Sequence, residues 1–168
     1  MTYDSGNRLT EIAYPDGTWL KYSYDSAGRR TQMVDQTGFA VNYAYNSLGQ
    51  LSGLTDGTGN SIDSYSYDPA GRLSQENKGN GTYTIYSYDA AGEILAILDK
   101  NYGGTVNSSF AYTYNNLGLC TTETTLQGKW TYSYDAAGQL THAVFASSNT
   151  ANAKPRRSRR IGQRCRPV

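Results

Sequence analysis

The chain has 168 residues, of which 16 are tyrosine, 18 glycine and only 4 proline, with a formal net charge of +1. That charge hides a split: residues 1–150 hold 8 Lys/Arg against 14 Asp/Glu, whereas residues 151–168 hold the other 7 basic residues and no acid. No apolar run is long enough to span a bilayer, no signal peptide stands at Met1, and two cysteines in unrelated contexts, Cys120 and Cys165, provide neither a disulfide framework nor metal-ligand spacing.

A mixture rich in Tyr, Thr, Ser, Gly and Asn suits short strands and many turns and disfavours helix. Hydrophobic residues make up 38% of the chain. Any core therefore leans on the bodies of tyrosines, whose hydroxyls need partners. One phrase recurs from end to end, most cleanly as Tyr22-Ser23-Tyr24-Asp25-Ser26-Ala27-Gly28-Arg29 and Tyr65-Ser66-Tyr67-Asp68-Pro69-Ala70-Gly71-Arg72-Leu73. Its second tyrosine falls at Tyr3, Tyr24, Tyr45, Tyr67, Tyr88, Tyr114 and Tyr134, in steps of 21, 21, 22, 21, 26 and 20 residues. A fixed period in this range marks stacked repeats. Met1 stands where later copies carry their first tyrosine, so the expectation is a piece of a longer array or a truncated reading frame.

Each repeat is predicted to be a hairpin. Before the second tyrosine, aromatic and apolar residues alternate with small or polar ones: Leu20, Tyr22 and Tyr24 around Lys21 and Ser23; Val41, Tyr43 and Tyr45; Phe110, Tyr112 and Tyr114; Trp130, Tyr132 and Tyr134. Period two is the signature of a half-buried strand. Next comes Asp (Asp4, Asp25, Asp68, Asp89, Asp135) or Asn (Asn46, Asn115), whose side-chain oxygen can bond a backbone N–H two residues on. Four residues after the tyrosine stands Gly28, Gly49, Gly71, Gly92, Gly118 or Gly138, with Asn7 in the first copy, suited to the left-handed residue of a type I turn with a G1 bulge.

The chain then returns as a second strand. Leu9, Leu51, Leu73, Ile94 and Leu140 stand two after the turn-closing residue, with Arg30 and Cys120 as exceptions. Three further on come Ile12, Met33, Leu54, Ile97 and Ala143, but also Glu76 and Glu123. A second turn signal reverses the chain at Asp16-Gly17, Thr37-Gly38, Asp56-Gly57, Asn80-Gly81, Gly103-Gly104 and Gln127-Gly128. All length variation is expected in these distal loops, the longest around Lys100–Ser109.

Chemistry is poorly represented. The repeated aspartates suggest a metal or acid–base role, but Asn46 and Asn115 keep the capping oxygen and lose the charge such chemistry needs. His142 is the single histidine, in a column with Glu11, Gln32, Gly53, Gln75, Ala96 and Thr122, so neither a triad nor a zinc site can be assembled. Gly79-Asn80-Gly81 lacks the Lys-Ser/Thr of a phosphate loop. The expectation is a non-enzymatic protein with no cofactor, no metal and no catalytic residue. Regularly spaced tyrosines leave an alternative: a secreted or surface β-repeat module that binds carbohydrate or cell wall. The basic stretch Lys154–Arg160 has no interleaved aromatics, which weakens a nucleic-acid reading against a disordered extension or out-of-frame residues after a truncation.

The phrase Tyr-Asp-x-x-Gly-Arg-Leu, nearly intact at Tyr67–Leu73 and in register seven times over residues 1–145, resembles the YD repeat of Rhs proteins, Tc toxin shell components and teneurins. That resemblance implies an all-β fold without significant helix, in which stacked antiparallel hairpins of about 21 residues build a curved, spiralling sheet. It implies a shell segment over residues 1–145, followed by a basic tail over 146–168. The turn residues Tyr24, Asp25 and Gly28, with their counterparts through Tyr134, Asp135 and Gly138, would then be structural corners. Expected partners are the rest of a shell or other copies joined at sheet edges, with a toxin effector or a surface glycan as further candidates. Expected localisation is secreted or cell-surface. Seven hairpins give roughly 67 Å of sheet at about 4.8 Å per strand, or a ring about 20 Å across. An effector of roughly 100 residues measures about 34 Å. One such chain alone is too small to enclose it.

Overall fold

A computed structural model describes residues 1–148. The basic tail expected at 146–168 lies outside the described residues from position 149 onward.

The described residues form fourteen antiparallel strands and no helix. They divide into two compact units, the first ending at Thr82 and the second beginning at Tyr83. In the first unit the strands are β1 (Thr2–Tyr3), β2 (Leu9–Ala13), β3 (Trp19–Tyr24), β4 (Arg30–Asp35), β5 (Ala40–Tyr45), β6 (Leu51–Asp56), β7 (Ser61–Tyr67) and β8 (Leu73–Lys78). Each pairs with the next in chain order. The second unit holds β9 (Tyr83–Tyr88), β10 (Ile94–Lys100), β11 (Val106–Tyr114), β12 (Cys120–Thr125), β13 (Gly128–Tyr134) and β14 (Leu140–Ser147), paired in the same way. The boundary expected at residue 145 falls inside β14.

Alternation places the tyrosines on one face of each unit. In an antiparallel pair, directly opposed residues share a face, and the register sets Tyr22 against Met33, Tyr43 against Leu54, Tyr65 against Glu76, Tyr86 against Ile97, Tyr112 against Glu123 and Tyr132 against Ala143. The opposite face is polar in the first unit. There Gln32 donates to Asn42 at 2.9 Å, and Asn77 donates to Ser64 at 3.1 Å.

The tyrosine bodies on which any core was expected to lean are only partly packed away. From the second copy onward both columns are half-buried, while Tyr3 is 55% exposed, and among the described residues only Ala40 and Cys120 are buried apolar side chains. Within each unit a ring is shielded mainly by its neighbours along the same face.

The distal ends also differ from the sequence expectation. Five distal turns carry the same backbone bond pair as the Tyr-Asp turns: N–H of the opening residue to the carbonyl four on, and N–H of the glycine back to the opening carbonyl. They open at Tyr14, Asp35, Asp56, Lys78 and Asn101. In the third, Gly59 and not Gly57 holds the left-handed conformation, at φ 92°. The long step before Tyr114 is not a long loop: the turn is the usual five residues, Asn101–Thr105, and the extra length extends β10 and β11 to 7 and 9 residues. Extra residues are absorbed as paired strand, which satisfies their backbone groups. The sixth distal turn is shorter, with Thr125 paired directly to Gly128.

Candidate functional site

The recurring corner is built alike in all seven copies. The opening residue (Asp4, Asp25, Asn46, Asp68, Asp89, Asn115, Asp135) donates its N–H to the carbonyl four residues on at 2.8–3.0 Å. The turn-closing residue, Asn7 or a glycine, donates back to the opening carbonyl at 2.9–3.2 Å. The side-chain Oδ1 of each opening residue accepts the N–H groups two and four residues on, for example Ala27 and Arg29 on Asp25, or Leu48 and Gln50 on Asn46. Gly28 and Gly71 sit at φ 80°, and Asn7 takes the same region at φ 59°. Glycine enters left-handed conformations without a Cβ penalty, and Asn is the usual substitute.

These bonds explain why Asp and Asn interchange. The carboxyls of Asp25 and Asp68 are held below their ordinary value first by the backbone N–H of Arg29 and Arg72, and only after that by the guanidinium groups. An amide oxygen accepts those N–H bonds equally well. The charge adds a local ion pair in three copies: Arg8 with Asp4 at 2.8 Å, Arg29 with Asp25 at 2.8 Å, and Arg72 with Asp68 at 2.7 Å. In the Asn46 copy an amide pair replaces it, with Asn46 donating to Gln50 at 3.0 Å.

A link that periodicity does not reveal runs from one hairpin to the one before. The second-tyrosine hydroxyl donates to the carbonyl of the first return-strand residue of the preceding repeat. Tyr24 reaches Leu9 at 2.6 Å, Tyr45 reaches Arg30 at 2.8 Å, and Tyr67 reaches Leu51 at 2.7 Å. In the second unit Tyr114 reaches Ile94 at 2.9 Å and Tyr134 reaches Cys120 at 2.7 Å. The register slips at that point in each hairpin, as where Tyr24 opposes Arg30 but Ser23 opposes Gln32. A bulge leaves a backbone group outside the regular ladder, and the hydroxyl takes it. A second link runs forward from the residue after the turn-closing position. Arg8 donates to the Asp25 carbonyl at 3.1 Å and stacks over Tyr24 at 5.1 Å, Arg29 stacks over Tyr45 at 4.6 Å, and Gln50 donates to the Gly71 carbonyl at 2.8 Å.

Comparison with known families settles what this repeating corner belongs to. The model of the teneurin YD-shell matches residues 30–153, and that of the RHS repeat matches residues 3–40. The chain belongs to the teneurin YD-shell family. A search of curated proteins finds no relative of this sequence. Among solved structures, TcdB2-TccC3 is similar at 18% identity and a TM-score of 0.72, covering 86% of this chain and 9% of that one. The Photorhabdus luminescens Tc holotoxin pore is similar at 23% identity and a TM-score of 0.68, covering 79% and 7%. The chain thus spans under a tenth of the length of the toxin chains it matches, and the likeness is one of fold.

The exceptions in the YD pattern are each accommodated. Arg30, in an otherwise apolar column, stacks between Tyr22 at 4.4 Å and Tyr43 at 5.7 Å. Glu123 accepts the Tyr132 hydroxyl at 3.0 Å, and Glu76 pairs with Lys78 at 3.1 Å. Glu93 differs. It occupies the slot that holds arginine in Arg8, Arg29 and Arg72, and its carboxyl is pushed up by burial and then by Asp89. His142 opposes Ser133 on the face away from the tyrosines. A shallow depression of about 190 Å³ over Gly53, walled by Asn42, Thr55, Ser61 and Ser64, is smaller than the roughly 300–1,000 Å³ of ordinary ligand pockets.

Proposed function

We propose that this chain is a non-enzymatic structural segment of a YD shell, secreted or displayed at a cell surface, whose larger relatives enclose or present an effector. The observation that carries this reading is the hydroxyl-to-carbonyl link between successive hairpins. It commits the most regular polar group of the repeat to holding neighbours together, which leaves that group unavailable for catalysis or ligand contact. The turn residues from Tyr24, Asp25 and Gly28 to Tyr134, Asp135 and Gly138 act on this reading as corners. Among the described residues no helix is long and apolar enough to cross a membrane.

Half-exposed tyrosine faces favour one second reading, a module that stacks on surface glycans. The committed hydroxyls of Tyr24, Tyr45, Tyr67, Tyr114 and Tyr134 weigh against it, because a saccharide site pairs ring stacking with free polar groups. The two readings separate on one experiment. An effector domain fused behind this chain alone should be digested by protease as fast as the free effector, whereas the same chain joined to further YD repeats should shield it. Equal digestion in both fusions, together with retention on a glycan array, would overturn the shell reading.

A further inference from the structure

Four arginines fall among the described residues, Arg8, Arg29, Arg30 and Arg72. Three of them answer the aspartate that opens their own corner, at 2.7–2.8 Å. Arg30 is the exception. It stands in the column otherwise filled by Leu9, Leu51, Leu73, Ile94, Cys120 and Leu140, and no carboxylate of the described residues pairs with it. A half-buried cation without a counter-ion is costly unless other groups stand in for one. Here tyrosines do so.

The guanidinium carbon on β4 lies 4.4 Å from the centre of the Tyr22 ring on β3 and 5.7 Å from that of the Tyr43 ring on β5. A planar cation is thus held between two ring faces. The Tyr43 hydroxyl is the main group that sustains its charge, with burial opposing. Its Nε–H is buried without an acceptor, which leaves the terminal nitrogens to meet anything arriving from outside. Tyr22, Arg30 and Tyr43 all keep part of their surface open. The second-tyrosine hydroxyls here are committed, Tyr24 to the Leu9 carbonyl and Tyr45 to the Arg30 carbonyl. Tyr22 and Tyr43 belong to the first-tyrosine column, and among the described residues neither hydroxyl is tied to a backbone carbonyl.

We propose that Tyr22, Arg30 and Tyr43 form a binding site for an acidic sugar, the guanidinium taking the carboxylate and the tyrosines the ring. A guanidinium matches a carboxylate with two parallel N–H···O bonds, and the flanking tyrosines offer apolar ring surface beside polar hydroxyls. Two observations select a sugar among carboxylates. Residues 1–150 hold 8 Lys/Arg against 14 Asp/Glu, so their field repels a polyanion such as an acidic peptide from this single positive point. One carboxylate on an otherwise neutral ligand escapes most of that repulsion. The site is also a face of three neighbouring strands, about 10 Å from β3 to β5 at about 4.8 Å per step. Such a platform suits a ring lying across tyrosines better than a small acid that needs enclosure. The site uses only these strands of the first unit, so it stands whether or not the chain serves as a shell segment.

The test is a nuclear magnetic resonance titration of the full-length chain with methyl glucuronide, methyl glucoside and acetate. The glucuronide should shift the Arg30 Nε–H signal and the ring signals of Tyr22 and Tyr43. The glucoside keeps the ring without the charge and acetate keeps the charge without the ring, so each should bind about tenfold more weakly or worse. Arg30→Leu, which installs the residue type of Leu9 and Leu51, should keep the far-ultraviolet circular dichroism and lose glucuronide binding. Arg30→Lys keeps the charge without the fork and should retain only part of the affinity. A glucoside or acetate that binds as tightly as the glucuronide would overturn the proposal. So would an Arg30→Leu chain with wild-type affinity, or an oligoglutamate peptide that binds more tightly than the sugar. Arg30→Leu should leave protease shielding by the longer YD fusion unchanged, which separates failure of this site from failure of the shell reading.

Discussion

The two ends of each hairpin share a backbone and differ in reach. At the Tyr-Asp end and at five of the six distal ends, the same pair of bonds closes the turn. Distal caps are local: Asp56 accepts from Thr58 and Asn60, Asp35 from Thr37 and Phe39. The Tyr-Asp end adds the tyrosine hydroxyl reaching back and the arginine or glutamine reaching forward, each spanning a whole repeat. Length can therefore vary between corners, as in the elongated β10 and β11, but not at the corner, where a shift would break two inter-repeat links. The difference teaches that this repeat is indexed from one end.

The largest expected break of that asymmetry comes from Tyr45→Ala, which removes a half-buried ring, its stack with Arg29 and its bond to the Arg30 carbonyl. It should cost about 3 kcal/mol in urea unfolding. Phe39→Ala at a distal turn, where the ring is 50% exposed, should cost under about 1 kcal/mol. Equal losses would remove the distinction between the ends.

A glycine comparison should show the opposite, sameness. Gly28→Val at a Tyr-Asp turn and Gly38→Val at a distal turn replace residues at φ 80° and 84°. Each should cost about 2 kcal/mol, because the backbone strain is alike. Next in size is Tyr45→Phe, which leaves the Arg30 carbonyl unpaired for a loss of about 1 kcal/mol. Hydrogen exchange should place that loss between the second and third corners and leave the distal turns unchanged.

Smaller effects test the electrostatics. Glu93 has its carboxyl raised in the folded state, so its contribution is full at low pH and is lost as pH rises through the folded value. Glu93→Arg, which restores the residue type of the first, second and fourth corners, should raise the neutral-pH melting temperature and flatten that dependence. Asp56 has the opposite sign. Its carboxyl is lowered to about 2, first by the Asn60 side chain and then by Thr58. Its stabilisation should persist above the ordinary carboxylate range and disappear as pH falls toward 2. Asp56→Ala should abolish that acid-side step by lowering stability at neutral pH, with little change near pH 2.

Much of this was legible in the sequence. The alternation around Tyr22, Tyr43 and Tyr132 marks the strands and their shared face, and the exchange of Asp25 for Asn46 points to a capping oxygen in place of a charge. The distal turns were harder. Asp56-Gly57 is the obvious dipeptide, yet Gly59 closes the turn, because a five-residue turn opened by Asp56 requires its left-handed residue three positions on. Around Lys100–Ser109 polar composition suggests a loop, where the backbone instead extends its ladder.

The sequence by itself determined the period, the strand faces and the chemistry of the corner, since these depend on residues within one repeat. Only the tertiary structure decided where the tyrosine hydroxyls go, that Arg8 and Gln50 reach the following turn, and that the tyrosine faces are only half-buried. Those contacts join residues 14 to 21 positions apart. They exist only once neighbouring hairpins are in register, and register is set by strand pairing across the sheet, which no single repeat contains.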